Sequence, residues 1–214
     1  MDLHDETHCE ENNYTNNYYP FVNEPLKYDF NELEPYIDTK TMQLHYEKHL
    51  QKYIDNLNDV VANNPFLKKY SLEEMLRNIC IFPPGLQCDI AHNAGGVYNH
   101  RFFFNELSPA ALHMPQGKLL YAINERFDSF DAFKDYFTEK ALGVFGSGYT
   151  WLTCCKDMSR LMVISTANQD TPLMYNLIPV ICIDVWEHAY YLKHYNDRKA
   201  YINDWFNVVN WECW

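Results

Sequence analysis

Glycine and proline are scarce here, at 7 and 10 of 214 residues. That excludes a collagen-like or low-complexity chain. Long apolar runs are missing too. The longest clean run, residues 178–183, is interrupted by Pro179, far short of the roughly 20 residues that cross a bilayer. Basic charge is short: 17 Lys and Arg face 29 Asp and Glu, a net of −12. Sequence-independent nucleic-acid binding needs a basic face, so that class is excluded. The seven cysteines are odd in number and contain no Cys-x-x-Cys pair. They read as free thiols in a reducing compartment. Adjacent Cys154 and Cys155 would strain a mutual disulfide, and the spacings argue against a thiolate metal cluster.

What is present is apolar and aromatic. Hydrophobic residues make up 47% and aromatics 16%, enough for a sizeable core in one large domain or two small ones. Residues 1–25 carry six acids and no Lys or Arg, and the first base is Lys27. A transit peptide is Arg-rich and a secretory signal begins basic and turns apolar. This segment matches neither, and reads as an acidic, poorly ordered leader on a cytoplasmic chain.

Periodicity organises the rest. From Asp38 to Asn63 a helical pattern buries Tyr46, Leu50, Tyr53, Ile54, Leu57, Val60 and Val61 on one face. Ser71 and Glu74 form a capping-box signature for a second helix running to Cys80. The stretch 82–85, Phe-Pro-Pro-Gly, reads as a breaker before a third helix over 89–107, with His100, Phe103, Phe104 and Leu107 on one stripe. A turn-rich stretch over 109–117 marks a domain boundary. Beyond it come helices over 118–127 and 131–144, strands over 149–155 and 161–167 joined by a turn at 156–159, and a third strand over 179–185. Ile202, Trp205, Phe206 and Val209 mark a last helix. The expected fold is α+β: an N-terminal α-helical hairpin domain, 26–112, then an α/β domain, 113–214, with a three-stranded antiparallel sheet.

Chemistry-bearing residues cluster in two places. His45 and His49 stand four apart, with Tyr53 four further, on one arc of the long helix. Asp184 and His188 stand four apart after a buried strand. Buried imidazoles and carboxylates need partners, and a metal is one. A hydrogen-bonded core histidine at His100, an N-cap at Asp184 and a zinc pair at His45 and His49 fit these spacings equally well.

The stretch Asp184-Val-Trp-Glu-His-Ala-Tyr-Tyr191 resembles the signature of the iron/manganese superoxide dismutase family. Collinear stretches agree: 33–37, 41–49, 93–100, 145–152, 165–170 and 209–212. The resemblance runs from about Pro25 to the end. It implies disproportionation of superoxide to dioxygen and hydrogen peroxide at one manganese ion per subunit, with iron as the alternative. It implies the ligands His45, His100, Asp184 and His188 plus a solvent molecule, a set whose nitrogen and oxygen donors suit a redox metal. Around them it implies Gln169 bonded to that solvent and Tyr53 as gateway. His49 would meet a neighbouring subunit's tyrosine at the position of Tyr191, and Glu187 would reach the other subunit's histidine at the position of His188. Trp186 and Trp151 would line an apolar cage. The iron type mostly carries its glutamine four residues before the second histidine, which here is Gly96; Gln169 therefore favours manganese. A homodimer or tetramer is implied, with no nucleic-acid or membrane partner, and the mitochondrial matrix is the alternative compartment. A catalytically silent, structural member of the fold is the competing reading.

Departures from the family pattern are few. Tyr149 stands in the cage where the first Trp of Gly-Ser-Gly-Trp-x-Trp is usual. It adds a hydroxyl within reach of Tyr53, water or peroxide. Leu50 replaces a frequent second histidine, and Lys199 replaces the proline after Arg198. A net of −12 also repels an anionic substrate. Positive charge at the funnel mouth, from Lys48 and Arg198, would have to offset it.

Overall fold

The computed structural model describes residues 16–157 and 160–213. Residues 1–15 of the acidic leader, Met158 and Ser159 of the 156–159 turn, and Trp214 lie outside the described residues. Helix α1 (Thr39–Leu44) opens on Asp38, whose carboxylate caps the Thr41 N–H. It continues through a π-helical turn (His45–Leu50) into α2 (Gln51–Asn63). The periodicity predicts one unbroken helix here. The π-turn instead adds a residue to one turn. His45 is thereby buried while His49 is half-buried and Lys48 exposed.

Ser71 and Glu74 form the expected capping box of α3, but that helix (Leu72–Arg77) stops short and a 3₁₀ turn follows (Ile79–Ile81). Helix α4 (Pro84–Asn105) starts five residues earlier than its predicted start at Asp89. Pro84 is its opening residue, where a missing N–H costs nothing; the Pro-Pro pair starts the helix instead of blocking it. Helices α2 and α4 pack as the hairpin.

Helices α5 (Gly117–Phe127) and α6 (Phe130–Leu142) lead into a sheet of order β2-β1-β3, all antiparallel. Its strands are β1 (Gly148–Cys154), β2 (Leu161–Ala167) and β3 (Ile178–Asp184). β1 is buried along its whole length, as a central strand covered on both faces must be. The chain ends through α7 (Tyr191–His194) and α8 (Arg198–Trp205). Among the described residues no helix is long and apolar enough to cross a membrane.

Residues 16–25, grouped by composition with the leader, pack against the hairpin. Phe21 is buried, and the Asn58 side chain grips its N–H and its carbonyl, both at 2.8 Å. The Arg101 guanidinium donates to the carbonyls of Asn16 and Val22, at 2.8 and 2.7 Å.

Candidate metal centre

Four elements deliver four donor atoms to one point. The π-turn carries His45, α4 carries His100, the end of β3 carries Asp184, and the 3₁₀ turn Glu187–Ala189 carries His188. One ligand atom from each lies within 4.8 Å of all the others. His45 Nε2 stands 3.2 Å from Asp184 Oδ2, and His188 Nε2 stands 3.5 Å from the same oxygen. His45, His100 and Asp184 are fully buried.

These atoms fit a cation. His45 Nε2, His100 Nε2, His188 Nε2 and Asp184 Oδ2 are all buried without a hydrogen-bond partner. Orphaned buried polar atoms are costly, and four that converge share one remedy. The His100 ring is oriented for it: Nδ1 bonds the Gly96 carbonyl at 2.7 Å, which leaves Nε2 as the lone-pair nitrogen. Burial pushes the His45 and His100 imidazoles below their ordinary range, although the nearby Asp184 carboxylate partly offsets this. Burial opposes ionisation of Asp184, but the close approach of His188 and His45 overrides it and holds the carboxyl well below its usual range. Neutral imidazoles and an ionised carboxylate are the states that bind metal.

A second layer surrounds this set. Gln169 Nε2 donates to the Tyr53 hydroxyl at 3.2 Å. Burial raises the Tyr53 phenol, and the Gln169 bond partly offsets it. Asn99 Nδ2 donates to Gln169 Oε1 at 3.2 Å and to its carbonyl at 3.1 Å. A Cβ on Gly95 would strike that carbonyl, and one on Gly96 would strike the Tyr53 ring. Gln169 follows β2, after Asn168 in the left-handed region (φ 52°). Gln169 fills the room that Gly95 leaves, and the Tyr53 ring fills that over Gly96. His49 stays out of the ligand cluster and stacks on His188, ring centroids 4.0 Å apart. Burial, then the neighbouring histidines, lower it to about 4.

Trp186 lies beside His188, 5.4 Å between centroids, and its backbone N–H caps Asp184 Oδ1 at 2.8 Å. Tyr149 pairs with Asp184 across the β1–β3 register. Trp151 stands one layer back, packed on Tyr149 and Phe102 with its indole N–H on Thr166 Oγ1. Glu187, Tyr191 and Lys48 are exposed. Arg198 spends its guanidinium on the Val144 and Gly146 carbonyls and the Tyr190 hydroxyl, so it clamps the loop before β1. Sequence reasoning assigned nothing to Asn99 or Gly95. Both sit inside the 93–100 stretch, next to His100, and their signal was that position alone.

The chain matches the iron/manganese superoxide dismutases twice: their alpha-hairpin domain over residues 20–108 and their C-terminal domain over residues 115–213. It is 44% identical over 192 residues to "Superoxide dismutase [Mn] 1" of Leptolyngbya boryana, covering 89% of this chain and 77% of that protein. It is 44% identical over 195 residues to "Superoxide dismutase [Mn]" of Thermus aquaticus, covering 91% and 95%. The protein of that name from Pseudomonas aeruginosa is 43% identical over 192 residues, covering 90% and 94%. A helical hairpin and an α/β half that each bring two donors to one buried point, with both halves matched, mean that this chain belongs to the iron/manganese superoxide dismutase family.

Proposed function

We propose that this protein is a superoxide dismutase with one manganese ion per subunit, held by His45, His100, Asp184 and His188. The observation that carries the reading is the set of four orphaned, buried donor atoms within 4.8 Å of one another. Gly96 supports manganese over iron, because the Tyr53 ring occupies the place of a side chain there. Two superoxide ions and two protons yield one dioxygen and one hydrogen peroxide, and a bound manganese ion supplies the reversible one-electron couple.

The chain's own residues do the rest. Asp184 supplies one negative charge among three imidazole ligands, so a bound cation keeps a net positive charge that attracts an anion. Trp186, Tyr149 and Phe104 keep the pocket apolar and restrict water. Tyr53, half-buried at the rim, takes protons from solvent, and the Gln169 amide aligns its hydroxyl with the interior. Asn99 fixes which end of that amide faces Tyr53. Lys48 steers the substrate from the surface.

Two copies pair through the face that exposes Glu187 and Tyr191, bringing each Glu187 to the other copy's His188. The exposed free thiols Cys80 and Cys88 fit a reducing, cytoplasmic compartment. We divide the chain at 112/113.

Metal analysis of the purified protein combined with a superoxide assay tests the reading. About one manganese per chain and catalysis that follows metal content are expected. Stoichiometric metal without activity above the free ion would establish the silent, structural member instead.

A further inference from the structure

Residues 16–25 run as a strap across the hairpin. Asn23 Nδ2 donates to the backbone carbonyl of Tyr46 at 3.2 Å, and the Tyr46 hydroxyl donates back to the Glu24 carbonyl. The Arg101 guanidinium holds the Asn16 and Val22 carbonyls. Tyr46 follows His45 in sequence, and Arg101 follows His100. One short stretch of strap, Val22 to Glu24, therefore grips the residue next to each of the two hairpin ligands. The strap is itself fixed: Asn58 holds both backbone groups of Phe21, and the Asn17 carbonyl takes the Leu72 N–H at 2.9 Å.

Tyr46 lies in the π-turn, His45–Leu50. Such a turn bonds a carbonyl to the N–H five residues on, and the α-helix after it returns to four. A carbonyl is passed over where the spacing changes, and a carbonyl taken out of water needs another partner. The Tyr46 carbonyl is served from outside the helix, by Asn23. An amide can meet a carbonyl only with its NH₂ end, so this bond sets the orientation of Asn23 and leaves its Oδ1 buried with no partner. Beside the bond lies a pocket of about 140 Å³, lined by Asn23, Glu24, Lys27, Tyr46, Arg101 and Phe104 among others. Strap and turn thus meet through polar bonds and not through a packed apolar seam.

We propose that Asn23 is a positioning residue of the metal centre: its bond to the Tyr46 carbonyl holds the π-turn, and the π-turn holds His45 among the donors and His49 outside them. One residue is about 100° of helical rotation. A helix that closed this turn to four-residue spacing would swing His45 by that angle relative to α2. The proposal rests on the four-donor reading of the site given above, and not on the reaction performed there.

Three substitutions in the full chain test this. Asn23→Leu keeps the volume and loses the donor, Asn23→Asp keeps the shape and loses it, and Asn23→Gln keeps an amide N–H. In the metal-free proteins, hydrogen exchange at the residue 45–50 amides should be about tenfold faster in the Leu and Asp variants than in the parent. Manganese titration should show affinity weakened about 10- to 100-fold in both, the range for residues that orient a ligand. Asn23→Gln should restore both readouts. The urea midpoint of Asn23→Leu should move little, because the substitution also deletes a buried oxygen that has no partner. Unchanged exchange or unchanged affinity in the donor-less variants overturns the proposal. So does a loss of affinity that only tracks a fallen urea midpoint, the mark of a general structural role. Where Asn23→Leu does not fold, Asn23→Asp gives the same reading. A parent that binds manganese without dismutase activity, with binding still weakened in Asn23→Leu, sinks the dismutase reading alone; an active parent with unweakened Asn23→Leu sinks the role of Asn23 alone.

Discussion

Gly96 lies directly beneath the Tyr53 ring, so close that a Cβ there would enter the ring's space. The phenol is therefore positioned by the absence of a side chain on α4 as much as by its bond to Gln169. One missing methyl admits the ring, and the ring presents its hydroxyl to the amide at 3.2 Å.

Gly96→Ala should displace Tyr53 and break that bond. An overpacked contact of this kind costs about 1–3 kcal/mol. We expect a lower denaturation midpoint and reduced turnover at unchanged manganese content. Parent-like values for both would show that the helix yields without disturbing Tyr53.

Asn99→Leu removes the donor that fixes Gln169 Oε1 while keeping the volume. Loss of a group that orients the layer around a metal typically costs about 10- to 100-fold in affinity or activity. Turnover measured per bound manganese should fall into that range. Full activity would mean that Gln169 is held elsewhere.

Glu106 offers a pH test away from the ligands. It is buried at the end of α4, and both its carboxylate oxygens accept the Cys182 N–H of β3, at 3.1 and 2.8 Å. Burial raises its pKa well above the ordinary 4.5, against the pull of those bonds. Its folded form thus holds a proton that the unfolded chain releases. Stability is full below the unfolded value and declines as pH rises toward the folded one. Glu106→Gln keeps an acceptor and removes the charge, so its stability relative to the parent should grow from pH 5 to pH 8. Urea unfolding across that range reads it, and a constant difference would contradict it.

Lys48 is exposed beside His49, whereas Arg198 is tied to Val144 and Gly146. Replacing Arg198 would disturb the loop as well as the field. Lys48→Glu should slow turnover a few-fold at low ionic strength and much less at high, where screening shortens the reach of charge. Equal losses at both would exclude steering by Lys48.

Periodicity and caps located α2, α3, α4 and the strands, because buried faces impose spacing on sequence. They did not reveal the π-turn, since one extra residue in a turn leaves no compositional mark. His45 and His49 accordingly looked equivalent, and only the family resemblance separated ligand from neighbour. The turn gives the physical reason: His45 points into the cluster and His49 stacks outside it. Pro84 was misread because a proline is a breaker inside a helix but a favoured first residue. The bond from Gln169 to Tyr53 spans 116 positions, and no local pattern encodes such a pairing.

Two of the four donors precede residue 101, and the other two follow residue 183. The four come together only where β3 packs on α4. A cation held by all four would therefore tie the hairpin half to the α/β half, and its removal would loosen the join between the halves before either half on its own.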